Sequence, residues 1–182
     1  MGRDPILSEM DEAAARAIGS ALEARYRAVA EGSMRDMPLS NPALGVAAVG
    51  FTAYGGKAVG IVATPWFMNL VMAALPGRVL SAARIGDAVT HALPSGDYEC
   101  VVGELDGFGR LDSVSLFSPM FEFADAETAV ATAEAAMAEV MKGAEAVVAA
   151  TVTAPAAAEA PRLDRRALLF GRRGHEGERS CR

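Results

Sequence analysis

The sequence predicts an α+β fold, a two-layer sandwich in which an antiparallel sheet of four to six strands packs against long N-terminal and C-terminal helices. Three observations predict it. Apolar residues recur at helical spacing over residues 7–30 and again between Asp125 and Gly143. Short apolar runs broken by glycine and proline lie between these two segments. The 182 residues are also enough to bury a core without disulfides.

The first helix is predicted over residues 7–30. Ser8 is a suitable N-cap, and Asp11 and Glu12 stand in the first turn, where the helix dipole favours acids. Gly32 is expected to end the helix. The apolar stripe of this helix consists of Met10, Ala14, Ile18, Leu22, Tyr26 and Val29.

Residues 44–53 and 57–64 are predicted to form a β-hairpin, because Gly55 and Gly56 between them can adopt the positive φ angles of a tight turn. Residues 66–74 are predicted as a third strand. Pro65 cannot donate to a sheet, so the chain should stop pairing or bulge just before Trp66.

The second half of the chain predicts strands at residues 88–93, 98–105 and 112–118, of which the last two are expected to be antiparallel neighbours. A second helix should start after Asp125 as N-cap and end near Gly143. Its apolar stripe consists of Ala126, Ala129, Val130, Ala133, Met137, Val140 and Met141.

Composition predicts three parts: a folded domain over residues 1–143, an Ala/Pro-rich tether over residues 144–161, and a basic tail over residues 162–182. Residues 1–161 carry 10 basic and 20 acidic groups, whereas the tail carries 7 basic and 3 acidic groups. An acidic domain argues against nucleic-acid binding. The uncharged stretch over residues 58–74 is interrupted by Pro65 and Asn69 and falls short of the roughly 20 residues needed to cross a bilayer. The N-terminus does not resemble a signal peptide, so we expect a cytoplasmic protein without membrane insertion.

No motif predicts catalysis, a metal site or a cofactor. The chain contains no phosphate-binding loop, no nucleophile elbow and no cluster with metal-ligand spacing. Cys100 and Cys181 are far apart and form no disulfide framework. His91 is expected to be a half-exposed structural residue.

Two clusters of large apolar residues flank strand ends and could face a partner, although an ordinary core role is the alternative. They consist of Trp66, Phe67 and Met68 and of Phe117, Pro119, Met120 and Phe121.

Several separated stretches together resemble one family, the HybE-type chaperones of nickel-iron hydrogenase assembly, which include the HupJ-like proteins. The stretches are residues 41–44 (Asn-Pro-Ala-Leu), 64–68 (Thr-Pro-Trp-Phe-Met), 103–105, 115–120 and 165–173 (Arg-Arg-Ala-Leu-Leu-Phe-Gly-Arg-Arg).

The resemblance implies a cytosolic accessory protein, not an enzyme, that binds the hydrogenase small-subunit precursor with its twin-arginine export signal, and the large subunit, until assembly is complete. We expect a monomer or weak dimer. Trp66 and Phe67 match the Thr-Pro-Trp motif of the family, and Phe117, Pro119 and Met120 match its Ser-Pro motif. That the two clusters form the binding face is our hypothesis from the residues.

The tail contributes a further hypothesis. Arg165 and Arg166, followed by Ala-Leu-Leu, resemble a twin-arginine motif, so we expect these two arginines to take part in partner binding, whereas a merely solubilising tail is the alternative.

Two other functions remain open at this stage. A redox-protective or small-ligand-binding protein of the hydrogenase pathway would depend on Cys100, and a chaperone of the toxin-secretion type would form a stable dimer through its terminal helices. Some members of the resembling family occur with a rubredoxin, but this chain has no Cys-x-x-Cys pair, so no iron-sulfur role is expected.

Overall fold

The structure, a computed structural model, describes residues 9–143. Two helices flank six strands in chain order, which confirms the predicted α+β class with an antiparallel sheet. The elements are α1 (Glu9–Glu31), β1 (Ala47–Tyr54), β2 (Lys57–Ala63), β3 (Met68–Ala74), β4 (Ala88–Leu93), β5 (Gly96–Leu105), β6 (Gly109–Phe117) and α2 (Ala126–Val140). Within the described residues, no helix is both long and apolar enough to span a membrane.

The sheet has the strand order β1-β2-β3-β6-β5-β4, and every neighbouring pair is antiparallel. The predicted hairpin is confirmed: Gly55 and Gly56 turn the chain with φ angles of 55° and 79°, so that Tyr54 pairs with Lys57. β2 is almost completely buried because a neighbouring strand lies on each side of it and a helix lies over each of its faces.

The two helices cover opposite faces of the sheet. Leu22 of α1 is buried with Val62 and Val71 on one face, and Met137 of α2 is buried with Ile61 on the other. Since side chains alternate between the faces of a strand, neighbouring residues of β2 point into two separate cores. The sheet therefore lies between the two helices, which gives three layers where the sequence predicted two, because both faces of β2 are apolar and each is covered by a helix.

Two glycines allow α1 to approach the sheet closely. A Cβ atom on Gly19 of α1 would lie 2.8 Å from the ring of Phe51, and one on Gly60 of β2 would lie 2.3 Å from the same ring. Real Cβ atoms do not come this near to another atom, so the Phe51 ring fills the space that the two absent side chains leave.

Most predicted boundaries differ from the structure by a few residues. α1 ends at Glu31, as the Gly32 signal indicates, but the proposed N-cap Ser8 lies outside the described residues. The strand predicted over residues 66–74 begins only at Met68, because Trp66 belongs to a loop that leaves the sheet. The N-cap Asp125 is confirmed, since its carboxylate accepts a hydrogen bond from the backbone N–H of Thr128 at 2.7 Å.

The prediction that His91 is half-exposed is wrong. Its side chain is buried and its Nε2 atom lies 2.8 Å from Oδ2 of Asp112, which is itself fully buried. The guanidinium of Arg110 lies 3.3 Å from the other carboxylate oxygen of Asp112, and it donates hydrogen bonds to the carbonyl oxygens of Ser81 and Ala83. This network holds the connection between β3 and β4 against the sheet.

Replacing Asp112 by Ala should lower the free energy of unfolding by about 3–5 kcal/mol, because it leaves His91 and Arg110 without their buried partner. Urea denaturation followed by circular dichroism measures this. The matched control is Asp106→Ala, which breaks an ion pair between Arg25 and a carboxylate that is 97% exposed and should change stability little. Equal effects of the two substitutions would contradict a structural role for the buried network.

Candidate functional site

The loop between β2 and β3 is shaped by Thr64. Its hydroxyl accepts hydrogen bonds from the backbone N–H groups of Trp66 and Phe67 at 3.3 and 3.0 Å, and its own N–H donates to the carbonyl of Phe67 at 2.8 Å. Pro65 has no N–H to contribute to the sheet and lies buried inside this loop. The Thr-Pro-Trp motif therefore forms a local turn that places Trp66 outside the hydrogen-bonded ladder between β2 and β3.

Asn41 joins this loop to two others. Its backbone N–H donates to the carbonyl of Pro65 at 2.8 Å, and its side-chain amide donates to the carbonyls of Met120 and Phe123 at 3.0 and 2.9 Å. The side-chain oxygen accepts from the N–H of Ala43. Asn41 is only 8% exposed, so these bonds form away from water and fix the three loops relative to one another.

Apolar side chains project from the three loops that Asn41 joins. Phe121 is 55% exposed, and Met37 and Leu39, on the loop that leads into Asn41, are 43% and 56% exposed. Pro119 is exposed and Trp66 is half-buried. We call these five residues, Met37, Leu39, Trp66, Pro119 and Phe121, the clasp surface.

Four of the nine predicted site residues are buried or packed against core side chains. Met68 and Met120 are fully buried, so the binding role expected of them does not fit this conformation. The ring of Phe67 is half-buried edge-on against Tyr26, with 5.4 Å between the ring centroids, and Phe117 packs in the same way on Phe123 at 5.2 Å. Both rings support the surface more than they form it.

The other predicted site residues divide between the surface and the tail. Trp66 packs edge-on against Phe67 at 5.8 Å while part of its indole faces solvent. Arg165 and Arg166 lie outside the described residues. Sequence reasoning missed Met37 and Leu39, although two large apolar residues in a charged loop just before the Asn-Pro motif were a signal.

One of the three loops of the clasp surface, the one that carries Pro119 and Phe121, is acidic. The segment from Ser118 to Thr128 contains Glu122, Asp125 and Glu127 and no basic residue. Glu122 and Glu127 are exposed and form no ion pair within residues 9–143. Hydrogen bonding from the backbone N–H of Thr128 holds the pKa of Asp125 below its usual value, so this carboxylate is charged at neutral pH.

Cys100 has the opposite character to a redox-active cysteine. Its thiol is buried, 3.6 Å from the sulfur of Met72. Burial, with a smaller effect from the charge of Asp112, raises its pKa to about 11. A neutral, inaccessible thiol is a poor nucleophile, so nothing in its surroundings favours the redox alternative.

Three cavities within residues 9–143 offer no enclosed pocket of the size that a small ligand needs. A mostly apolar cavity of about 70 Å³ under the start of α2 is lined in part by Leu44, Ala63 and Val130. Pockets for small molecules are usually about 300 Å³ or larger. Depressions of about 530 and 360 Å³, at the β5–β6 turn and between α1 and β1, are wide open to solvent. Among residues 9–143 no three His, Cys, Asp or Glu side chains are grouped to hold a metal ion.

Comparison with known proteins gives a consistent result. The family model described as "NiFe-hydrogenase assembly, chaperone, HybE" matches residues 17–171. Hydrogenase expression/formation protein HupJ of Bradyrhizobium diazoefficiens is 46% identical over 160 residues, which cover 88% of this chain and 91% of that protein. Hydrogenase-2 operon protein HybE of Escherichia coli K12 is 30% identical over 155 residues, which cover 85% and 90% of the two chains.

The fold is also similar to a solved structure. The solution structure of HybE from Escherichia coli matches with a TM-score of 0.58 and 25% sequence identity, covering 96% of this chain and 98% of that one.

Replacing Asn41 by Ala should lower the free energy of unfolding by about 1–3 kcal/mol, because two buried carbonyls lose their donor. The emission of Trp66 should change as the loops separate. Ser40→Ala, a half-buried neighbour with no side-chain hydrogen bond among the described residues, is the control and should leave both readouts unchanged. An Asn41→Ala protein as stable as the wild type would contradict the fixing role.

Cys100 should resist thiol reagents at pH 8 in the folded protein, because its sulfur is buried and its pKa of about 11 leaves the thiol protonated. In urea, where the thiol is exposed, it should react at once. A Cys181→Ser variant removes the other thiol from the assay. Fast labelling of Cys100 in the native state would reopen the redox alternative.

Proposed function

Because the chain belongs to the HybE family of nickel-iron hydrogenase assembly chaperones, we propose that it binds the hydrogenase small-subunit precursor through its twin-arginine signal segment, at the clasp surface. The proposed activity is binding without catalysis. Its partners are the small-subunit precursor and the large subunit, and its place is the cytoplasm, where an export signal is met before translocation.

The observation that carries this proposal is the exposure of large apolar side chains on two of the three loops that one buried amide fixes, with the partly exposed Trp66 on the third. Phe121, Leu39 and Met37 are each more than two-fifths exposed, so these apolar side chains face water in or beside the loops that contain the family motifs. Exposed apolar surface of this kind commonly marks a site for another polypeptide. Methionine side chains adapt to the varied apolar residues of a signal segment because they are unbranched and flexible.

Charge supports the same cargo. A twin-arginine signal presents two guanidinium groups beside an apolar stretch, and the clasp surface presents apolar side chains beside Glu122, Asp125 and Glu127. The partial positive charge at the N-terminus of α2 is about half an elementary charge, so the three carboxylates outweigh it. Opposite charges at the rim would speed association and orient the signal.

The direct test is co-purification of this protein with the precursor small subunit, with and without its signal segment. The proposal expects the complex only with the signal. Equal recovery without the signal would contradict signal recognition, and no recovery of either form would contradict small-subunit binding altogether.

Phe121→Ala should weaken binding of a synthetic signal peptide about tenfold or more, because an exposed aromatic anchor is lost. Its side chain is more than half exposed, so the fold should be retained. Trp66→Ala should have a similar effect on affinity. Val79→Ala removes a side chain that is 84% exposed on the connection between β3 and β4 and serves as the control. Isothermal titration calorimetry measures the affinities, and an unchanged affinity of the folded Phe121→Ala protein would exclude the anchor.

A further inference from the structure

We infer that residues 165–170 of this same chain occupy the clasp surface in the absence of cargo, so that the tail is an internal competitor of the signal segment. The displacement by cargo rests on the proposed function, whereas the docking of the tail does not. The first argument is chemical likeness: Arg165 and Arg166 are followed by Ala-Leu-Leu-Phe, two guanidinium groups beside an apolar run. This is the same combination of charge and apolar surface that the clasp surface complements.

The second argument is charge. The residues before 162 carry ten more acidic than basic groups, and the tail carries four more basic than acidic groups, by the counts above. Glu122, next to Phe121, and Glu127, in the first turn of α2, form no ion pair within the described residues, so they are available to a basic segment. Attraction within one chain is not diluted by lowering the protein concentration.

The third argument is reach. α2 starts directly after the loop that carries Phe121 and ends beside the β4–β5 turn, where the N–H of Ser95 donates to the carbonyl of Val140 at 3.2 Å. A helix of 15 residues is about 22 Å long, so the tail must return about that distance to reach the clasp surface. Residues 144–164, which connect the described part to Arg165, are 21 in number, and a flexible chain of that length would have a root-mean-square span of about 23–27 Å.

A linker whose span matches the distance between two sites gives the greatest local concentration. For short flexible linkers, the effective concentration of the tethered segment at its site is about 1 mM. If the tail alone bound with a Kd of about 100 µM, it would weaken binding of a competing peptide about tenfold. A twin-arginine signal with its longer apolar segment would still displace it.

The test uses the full chain and its single tryptophan, Trp66, as the reporter. Three proteins are compared: the wild type, the double variant Arg165→Ala/Arg166→Ala, and the double variant Arg172→Ala/Arg173→Ala. The last is the control, because it also loses two positive charges but outside residues 165–170. Docking of residues 165–170 predicts stronger acrylamide quenching of Trp66 in the first variant and wild-type quenching in the control. Equal quenching in all three proteins would overturn the inference, and so would equal increases in both variants, which would indicate charge alone.

The second measurement is the affinity of each protein for a synthetic peptide with two arginines and an apolar segment. The inference predicts about tenfold tighter binding by Arg165→Ala/Arg166→Ala than by the control. Equal affinities with equal quenching would leave the proposed function standing and refute the internal competitor. Stronger quenching in the first variant without peptide binding by any of the proteins would support tail docking and refute the proposed function.

Dilution identifies the origin of the tail. If the tail binds within its own chain, the difference in quenching between the wild type and Arg165→Ala/Arg166→Ala should be the same at about 1 µM and about 100 µM protein. A difference that disappears on dilution would assign the tail to a second copy of the protein and overturn the inference as stated.

Discussion

The arrangement of the candidate site depends on the buried amide of Asn41. A backbone carbonyl that is removed from water must find a donor, and the carbonyls of Met120 and Phe123 find theirs in this one side chain. Asn41 also donates its own N–H to the loop after β2. Three segments that are far apart in sequence are thereby held together without a regular element between them. Loops fixed in this way can expose apolar side chains that would otherwise collapse onto the core.

The sheet supplies the rigid support for these loops. β2 is buried on both faces, and the Phe51 ring between Gly19 and Gly60 allows α1 to lie close against it. On the other side of the sheet the buried network of His91, Asp112 and Arg110 holds the connection between β3 and β4 in place. Close packing of this kind is stiff, so the position of Trp66 at the end of β2 follows from the core.

A chaperone that holds partly assembled subunits needs binding that is specific in charge and tolerant in shape. The clasp surface has both properties: the loop of Phe121 is acidic, and the apolar groups come from phenylalanine, leucine, methionine and the partly exposed indole. Such a surface would also bind a similar segment of its own chain, as we propose for the tail. If the tail and the cargo compete for the clasp surface, only a segment that binds more tightly than the tail would displace it.

The sequence by itself determined the local features, because turns, caps and periodic stripes depend on neighbouring residues. The Gly55-Gly56 hairpin, the Asp125 cap and the two helices are of this kind, as is the family resemblance carried by short motifs. Only the tertiary structure decided which apolar residues are exposed: Met68 and Met120 entered the core, whereas Phe121 and the unpredicted Met37 and Leu39 remained outside. It also decided that His91 meets Asp112. Burial and long-range pairing depend on which strands and loops become neighbours, and spacing along one chain does not contain that information.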